Sequence, residues 1–194
     1  VGSEMCIRDR QIGQVIKKEY ANEALFKDQS YTDPIKLPAN VYIPNGEKLI
    51  AKYGVQNGAL ADWTIKINES GSYLEDGKIT DSLAPNSLFL ENSFKLVDSQ
   101  GKSVKADFDV ETEVNGEGEN QGQRLTVTLP SPMDESYTLT YQTEYIGTEE
   151  WSDTITNNVE FTANGVETRK NEGSSQLSYN VSSASGSTHG ENGK

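Results

Sequence analysis

Apolar and polar residues alternate strictly along several short stretches of this chain. Trp63, Ile65 and Ile67 alternate with Thr64, Lys66 and Asn68. Leu125, Val127 and Leu129 alternate with Arg124, Thr126 and Thr128, and Tyr137, Leu139, Tyr141 and Tyr145 alternate with Thr138, Thr140, Gln142 and Glu144. A period of two places one face of a strand against a core and leaves the other in water. Turn signals separate the runs: Glu69-Ser70-Gly71, Ala84-Pro85-Asn86, Ser99-Gln100-Gly101, Asn115-Gly116-Glu117-Gly118 and Asn164-Gly165. Many short strands joined by tight turns predict an all-β, antiparallel β-sandwich. Its inward-facing residues should be Trp63, Ile65, Ile67, Leu125, Val127, Leu139, Tyr141, Val159 and Phe161. A short helix is expected over Ile12–Phe26.

The pattern also divides the chain. Residues 46–182 read as one complete module. Tyr20-Ala21-Asn22-Glu23-Ala24-Leu25-Phe26 resembles Thr156-Asn157-Asn158-Val159-Glu160-Phe161, with an Asn sharing parity with apolar residues two and four positions on. Residues 11–45 are therefore read as the end strands of a preceding module or a linker; chance similarity is the rival. Residues 183–194 form a Ser/Gly-rich linker. Residues 1–10, Val1 to Arg10, hold the only Cys and one of two Met. They read as a translated sequencing adapter, with a genuine N-terminal stretch as the alternative, and are set aside.

Composition narrows the function. The formal net charge is −13 with no basic cluster, which argues against nucleic acid and anionic membrane as partners. No apolar run approaches a spanning length, so no membrane insertion by this segment is expected. Without residues 1–10 there is no cysteine for a disulfide or thiolate metal site. The only histidine, His189, falls in the Ser/Gly linker, which removes His-based triads. Asp107, Asp109, Glu111 and Glu113 alternate with Phe108, Val110, Thr112 and Val114; lacking the Gly-bearing calcium loop, they read as an acidic solvent face. Neither metal nor cofactor is expected, and no enzymatic activity on an outside substrate.

Three residues on separate predicted strands carry the candidate chemistry. Lys52 shares parity with Ile50, Asp81 with Ile79, and Asn157 with Val159 and Phe161, so all three should face inward. Asn158 shares a face with Glu160 and should be wet. Lys66 lies opposite Trp63, Ile65 and Ile67, and Lys48 sits beside a turn. A buried lysine loses its charge because desolvation disfavours the ammonium form, and a buried aspartate is kept protonated for the same reason. A neutral Lys52 amine can attack the side-chain carbon of Asn157 while Asp81 carries protons and ammonia leaves. The blander reading is a solvated lysine, a strand-end aspartate and a loop Asn-Asn pair.

The segments Ala61-Asp62-Trp63-Thr64-Ile65-Lys66-Ile67-Asn68, Gly77-Lys78-Ile79-Thr80-Asp81-Ser82-Leu83, Asn92-Ser93-Phe94-Lys95-Leu96, Tyr137-Thr138-Leu139-Thr140-Tyr141-Gln142-Thr143 and Thr154-Ile155-Thr156-Asn157-Asn158-Val159 occur in that order. Together they resemble the collagen-adhesin-type module of Gram-positive cell-wall surface proteins, over about residues 48–163. The resemblance implies an immunoglobulin-like sandwich, often crosslinked by a Lys–Asn isopeptide bond that an Asp assists. It implies an extracellular position on the cell wall or cell surface, in adhesins and pilins, with neighbouring modules of the same chain as partners. On this footing the expected function is a structural stalk or adhesion module, crosslinked between Lys52 and Asn157 with Asp81 assisting. Direct binding of collagen or another host matrix protein is the alternative, and an accessory domain of a secreted enzyme is a third. Lys52 and Asn157 are expected on adjacent strands, with Asp81 within hydrogen-bonding reach of both.

Overall fold

The computed structural model describes residues 12–26, 35–147 and 152–178. Residues 1–10 and 183–194, with Cys6 and His189, lie outside the described residues. Twelve strands follow along the described chain: β1 (Glu19–Phe26), β2 (Ile35–Tyr42), β3 (Ile50–Asn57), β4 (Leu60–Ile67), β5 (Lys78–Leu83), β6 (Ser87–Val97), β7 (Ser103–Val104), β8 (Asp107–Val114), β9 (Asn120–Thr128), β10 (Tyr137–Tyr145), β11 (Ser152–Ala163) and β12 (Val166–Ser178). All pairings are antiparallel. One sheet has the order β3-β4-β10-β6-β7 and the other β12-β11-β5-β9-β8, while β1 and β2 form a two-stranded sheet of their own. The fold is an immunoglobulin-like β-sandwich.

Alternation builds this core. Every second residue of β4 is buried, with Ala61, Trp63, Ile65 and Ile67 at 1% exposure or less. Leu139 and Tyr141 from β10 lie beside them in the same sheet. Ile79 from β5, Leu125 and Val127 from β9, and Ile155, Val159 and Phe161 from β11 come from the other sheet into the same cluster. Burying each large side chain stabilises the fold by about 1.5–3 kcal/mol. All nine residues expected to face inward are buried. The hairpin β11–β12 closes through Asn164-Gly165, where Gly165 takes φ 74°, a conformation that costs glycine little.

The helix expected over Ile12–Phe26 is absent. Gln14 makes an isolated antiparallel bridge with Tyr73, and the Ile16 amide donates to Ser72 Oγ at 2.8 Å. From Glu19 the chain pairs with β2 along the whole strand, Glu19 opposite Tyr42 and Phe26 opposite Ile35. Non-local partners for the backbone override the local spacing, and Gly13 at φ 75° is also incompatible with a helical start.

Candidate functional site

Lys52 is the third residue of β3, an edge strand of its sheet, yet its side chain is fully withdrawn from water. Two glycines make this possible. Gly173 of β12 packs on the lysine stem, so closely that a Cβ there would fall 2.8 Å from Lys52 Cγ. Gly54, opposite Trp63 in the β3–β4 register, leaves room for the indole to fold over the strand; a Cβ at Gly54 would lie 2.5 Å from the ring. The indole then sits 4.8 Å from Lys52 Nζ, and its own N–H donates to Thr143 Oγ1 at 3.0 Å. Where β3 passes β12, the Lys52 backbone amide donates to Asn171 Oδ1 at 3.0 Å.

Asp81 comes from the opposite sheet. It lies on β5, between Val159 of β11 and Leu125 of β9, with no exposed surface. Its two carboxylate oxygens stand 2.5 and 2.6 Å from Lys52 Nζ. Asn157, on β11, is equally buried. Its Oδ1 accepts from the Ala84 amide at 3.4 Å, and its Nδ2 donates to the Tyr141 hydroxyl at 3.5 Å. Tyr141, on β10 and 1% exposed, also accepts from Lys52 Nζ at 3.0 Å and donates to Asp81 Oδ2 at 2.6 Å.

Burial dominates the electrostatics. Desolvation pushes the Lys52 amine below the ordinary lysine value, against the attraction of Asp81. Burial, and then the negative charge of Asp81, hold the Tyr141 hydroxyl well above the ordinary tyrosine value. A buried ion pair recovers its desolvation cost only with good geometry and further hydrogen bonds. Here Tyr141 supplies one and the Trp63 face adds a cation–π contact. An amine, a carboxyl group and a carboxamide are therefore buried together and linked through one hydroxyl, which is the set of groups an amide exchange within the chain requires.

The structure thus brings Lys52, Asp81 and Asn157 to one site, but with a geometry different from the one expected. Lys52 and Asn157 do not lie on adjacent strands; they belong to opposing sheets and approach across the core. Strand parity fixes the inward direction and says nothing of which sheet a strand joins. Asp81 bonds Lys52 directly, whereas the link from Asp81 to the Asn157 amide runs through the Tyr141 hydroxyl. Tyr141 and Trp63 read in the sequence only as core residues. The signal available for Tyr141 was that a phenol at an inward position must find a hydrogen-bond partner. Of the residues read as wet, Asn158 is exposed and Lys66 is half-buried and bonds Thr138 Oγ1; Lys48, beside its turn, is exposed. On β8, Asp107, Asp109 and Glu111 are exposed, and Glu113 pairs with Arg124. Among the described residues no three His, Cys, Asp or Glu side chains are grouped to hold a metal.

The sequence model of the family described as the collagen binding domain matches residues 47–172, most of the chain. The chain belongs to this family. The collagen binding domain match takes in β3 through most of β12, so both sheets and all four site residues fall within it. No curated protein matches the sequence. Among solved structures, the Enterococcus faecalis adhesin ACE, described as binding its ligands by a collagen hug, is 14% identical with a TM-score of 0.50; the match covers 85% of this chain and 61% of that one. The collagen-binding domain from a Staphylococcus aureus adhesin is 14% identical over 68% of this chain and 99% of its own, with a TM-score of 0.48. The longer structure of the S. aureus collagen adhesin (CNA) is 15% identical with a TM-score of 0.47, covering 72% of this chain and 53% of that one. The chain thus spans about half the length of that longer adhesin. At these identities the likeness is one of fold.

Proposed function

We propose that residues 46–182 form a structural module of a bacterial surface adhesin, locked by an isopeptide bond between Lys52 Nζ and Asn157 Cγ. The observation that carries this reading is the buried cluster in which Lys52 Nζ lies 2.5 Å from Asp81 and shares the Tyr141 hydroxyl with Asn157. In the reactive tautomer the proton of that 2.5 Å contact rests on Asp81, which leaves Lys52 a neutral amine. The amine attacks Asn157 Cγ, the carbonyl electron pair moves to Oδ1 beside the Ala84 amide, and the carbon–Nδ2 bond breaks as ammonia leaves. One proton passes from Nζ to the departing nitrogen, and Asp81 ends as it began. The bond turns over once, so the module acts on itself and on no outside substrate.

A covalent tie suits a mechanical role. The module would sit outside the cell, on the wall or surface, in series with neighbouring modules of its own chain, as family membership supports. Residues 11–45, with the paired strands β1 and β2, would be the end strands of a preceding module or a linker. The test is intact mass. The purified chain should lack one ammonia relative to its sequence, and Lys52→Ala and Asn157→Ala should keep their full mass. A wild-type chain of full mass would reduce the module to an ordinary uncrosslinked sandwich. The second reading, direct binding of collagen or another matrix protein, is also favoured by family membership. Saturable binding of this chain to immobilised collagen would support it, and its absence alongside the ammonia loss would leave the structural role alone.

A further inference from the structure

The hydrogen bonds at the site leave one proton transfer without a direct route. Those of the Asp81 carboxylate run to Lys52 and Tyr141, and those of the Asn157 amide run to the Ala84 backbone and Tyr141. The Tyr141 hydroxyl is the group that touches the amine, the carboxylate and the amide nitrogen together, at 3.0, 2.6 and 3.5 Å. We infer that Tyr141 is a catalytic residue of the crosslinking reaction, relaying the proton from Asp81 to the nitrogen that leaves Asn157. This rests on the isopeptide reading and names the group that completes it.

The relay balances. Attack of the neutral amine gives a tetrahedral carbon bearing an oxyanion, a positively charged Nζ and an uncharged Nδ2, which is now basic. Once protonated on Oδ2, the oxygen that faces the phenol, Asp81 donates to Tyr141 Oη instead of accepting from it. As it passes this proton on, the phenol turns its own from the carboxyl group to the lone pair of Nδ2. The resulting carboxylate, 2.5 Å from Nζ, then takes the surplus proton from that nitrogen. Collapse of the oxyanion re-forms the carbonyl and expels neutral ammonia. Tyr141 and Asp81 both regain their starting protons. Burial suits the phenol to this work. Desolvation and the neighbouring carboxyl group hold it protonated above the ordinary tyrosine value, so it enters each attempt as a donor. Its ring packs against Phe89, with centroids 5.4 Å apart, which holds the hydroxyl toward the cluster. The titratable groups facing it are Lys52 from β3 and Asp81 from β5.

The test follows ammonia loss in time. The full chain is made in a cell-free pulse, quenched at intervals and weighed intact. Tyr141→Phe keeps the ring and removes the relay, so crosslinking should slow about a hundredfold or more, the range of a lost general acid. Far-UV circular dichroism and the cooperative thermal melt of Asn157→Ala and of Asn157→Ala/Tyr141→Phe, neither able to crosslink, should agree closely and show the fold intact. If the double variant fails to fold, fluorinated tyrosine at position 141 replaces it. That residue keeps the shape and acidifies the hydroxyl, and the pH profile of ammonia loss should move to lower pH. A Tyr141→Phe rate equal to wild type, or a profile unmoved by fluorination, would overturn the relay while leaving the crosslink standing. A wild-type chain that keeps its ammonia would overturn the crosslink reading and the relay with it.

Discussion

Burial works on Lys52 and Tyr141 in opposite senses, and both should be visible where the crosslink cannot form. In Asn157→Ala, the folded Lys52 releases its proton below the ordinary lysine value of 10.5. The unfolded chain then binds more protons than the folded one, so stability rises with pH as 10.5 is approached from below. The Tyr141 hydroxyl stays protonated in the fold above its ordinary value of 10.0, so its contribution is complete below that pH and is lost as pH climbs past it. The urea midpoint of Asn157→Ala should therefore climb on the alkaline side and turn over above about pH 10, while its difference from Asn157→Ala/Lys52→Met, in which Tyr141 is common to both, should climb and then level off. A difference that shrinks steadily as pH nears 10 would contradict the assigned direction for Lys52. The same pair predicts unequal substitutions. Asn157→Ala loses the crosslink, whereas Lys52→Ala also leaves Asp81 buried without its cation. Lys52→Ala should be less stable than Asn157→Ala by about 3–5 kcal/mol in urea melts, and adding Asp81→Ala should recover most of that difference.

Among the elements, the seam between β3 and β12 determines whether the lysine is dry, and two small residues make that seam. Gly173→Ala would drive a Cβ against Lys52 Cγ at 2.8 Å, and Gly54→Ala would drive one into the Trp63 ring at 2.5 Å. Overpacking of this kind costs about 1–3 kcal/mol. Both variants should melt lower and crosslink more slowly, while Gly116→Ala, which meets nothing within 4 Å, should match wild type in both. Equal behaviour of all three would mean that the seam yields freely. Neither glycine stood out in the sequence, because a close approach depends on which strands meet. For β4 and β10, alternation alone exposed the buried face, since each has a polar outer row. β3 was harder to read: Tyr53 and Val55 are 50% and 58% exposed, so its larger apolar residues point outward while Lys52 points in. Its inward parity rested on Ile50, which is only half-buried. The missing helix has the same origin, as the pairing of β1 with β2 is invisible to a local window.

For the whole molecule, the consequence of the site lies in where it ties the chain. Lys52 is on the first strand of the sandwich and Asn157 on the next to last, in opposite sheets, so the bond would enclose a loop of about 105 residues. By analogy with a disulfide, closing such a loop adds roughly 4–5 kcal/mol through the unfolded state. Under force the effect is larger in kind, because tension applied at the two ends would run from β3 straight through the bond into β11. The strands between them, β4 to β10, would bear none of it. The sandwich was foreseeable from the alternating runs, whereas this load path depends on sheet order, which parity does not encode. It yields a length that can be measured. Stretched between the chain ends in a single-molecule experiment, Asn157→Ala should unfold with the enclosed residues released, an extension of about 350 Å at 3.3–3.6 Å per residue. The wild-type chain should lack that step at any force below covalent rupture and lengthen only by the segments outside the loop. Lys52→Ala should behave as Asn157→Ala does. A wild-type trace carrying the same step would mean that the ends are joined through hydrogen bonds alone, and that the module resists force no better than an ordinary sandwich.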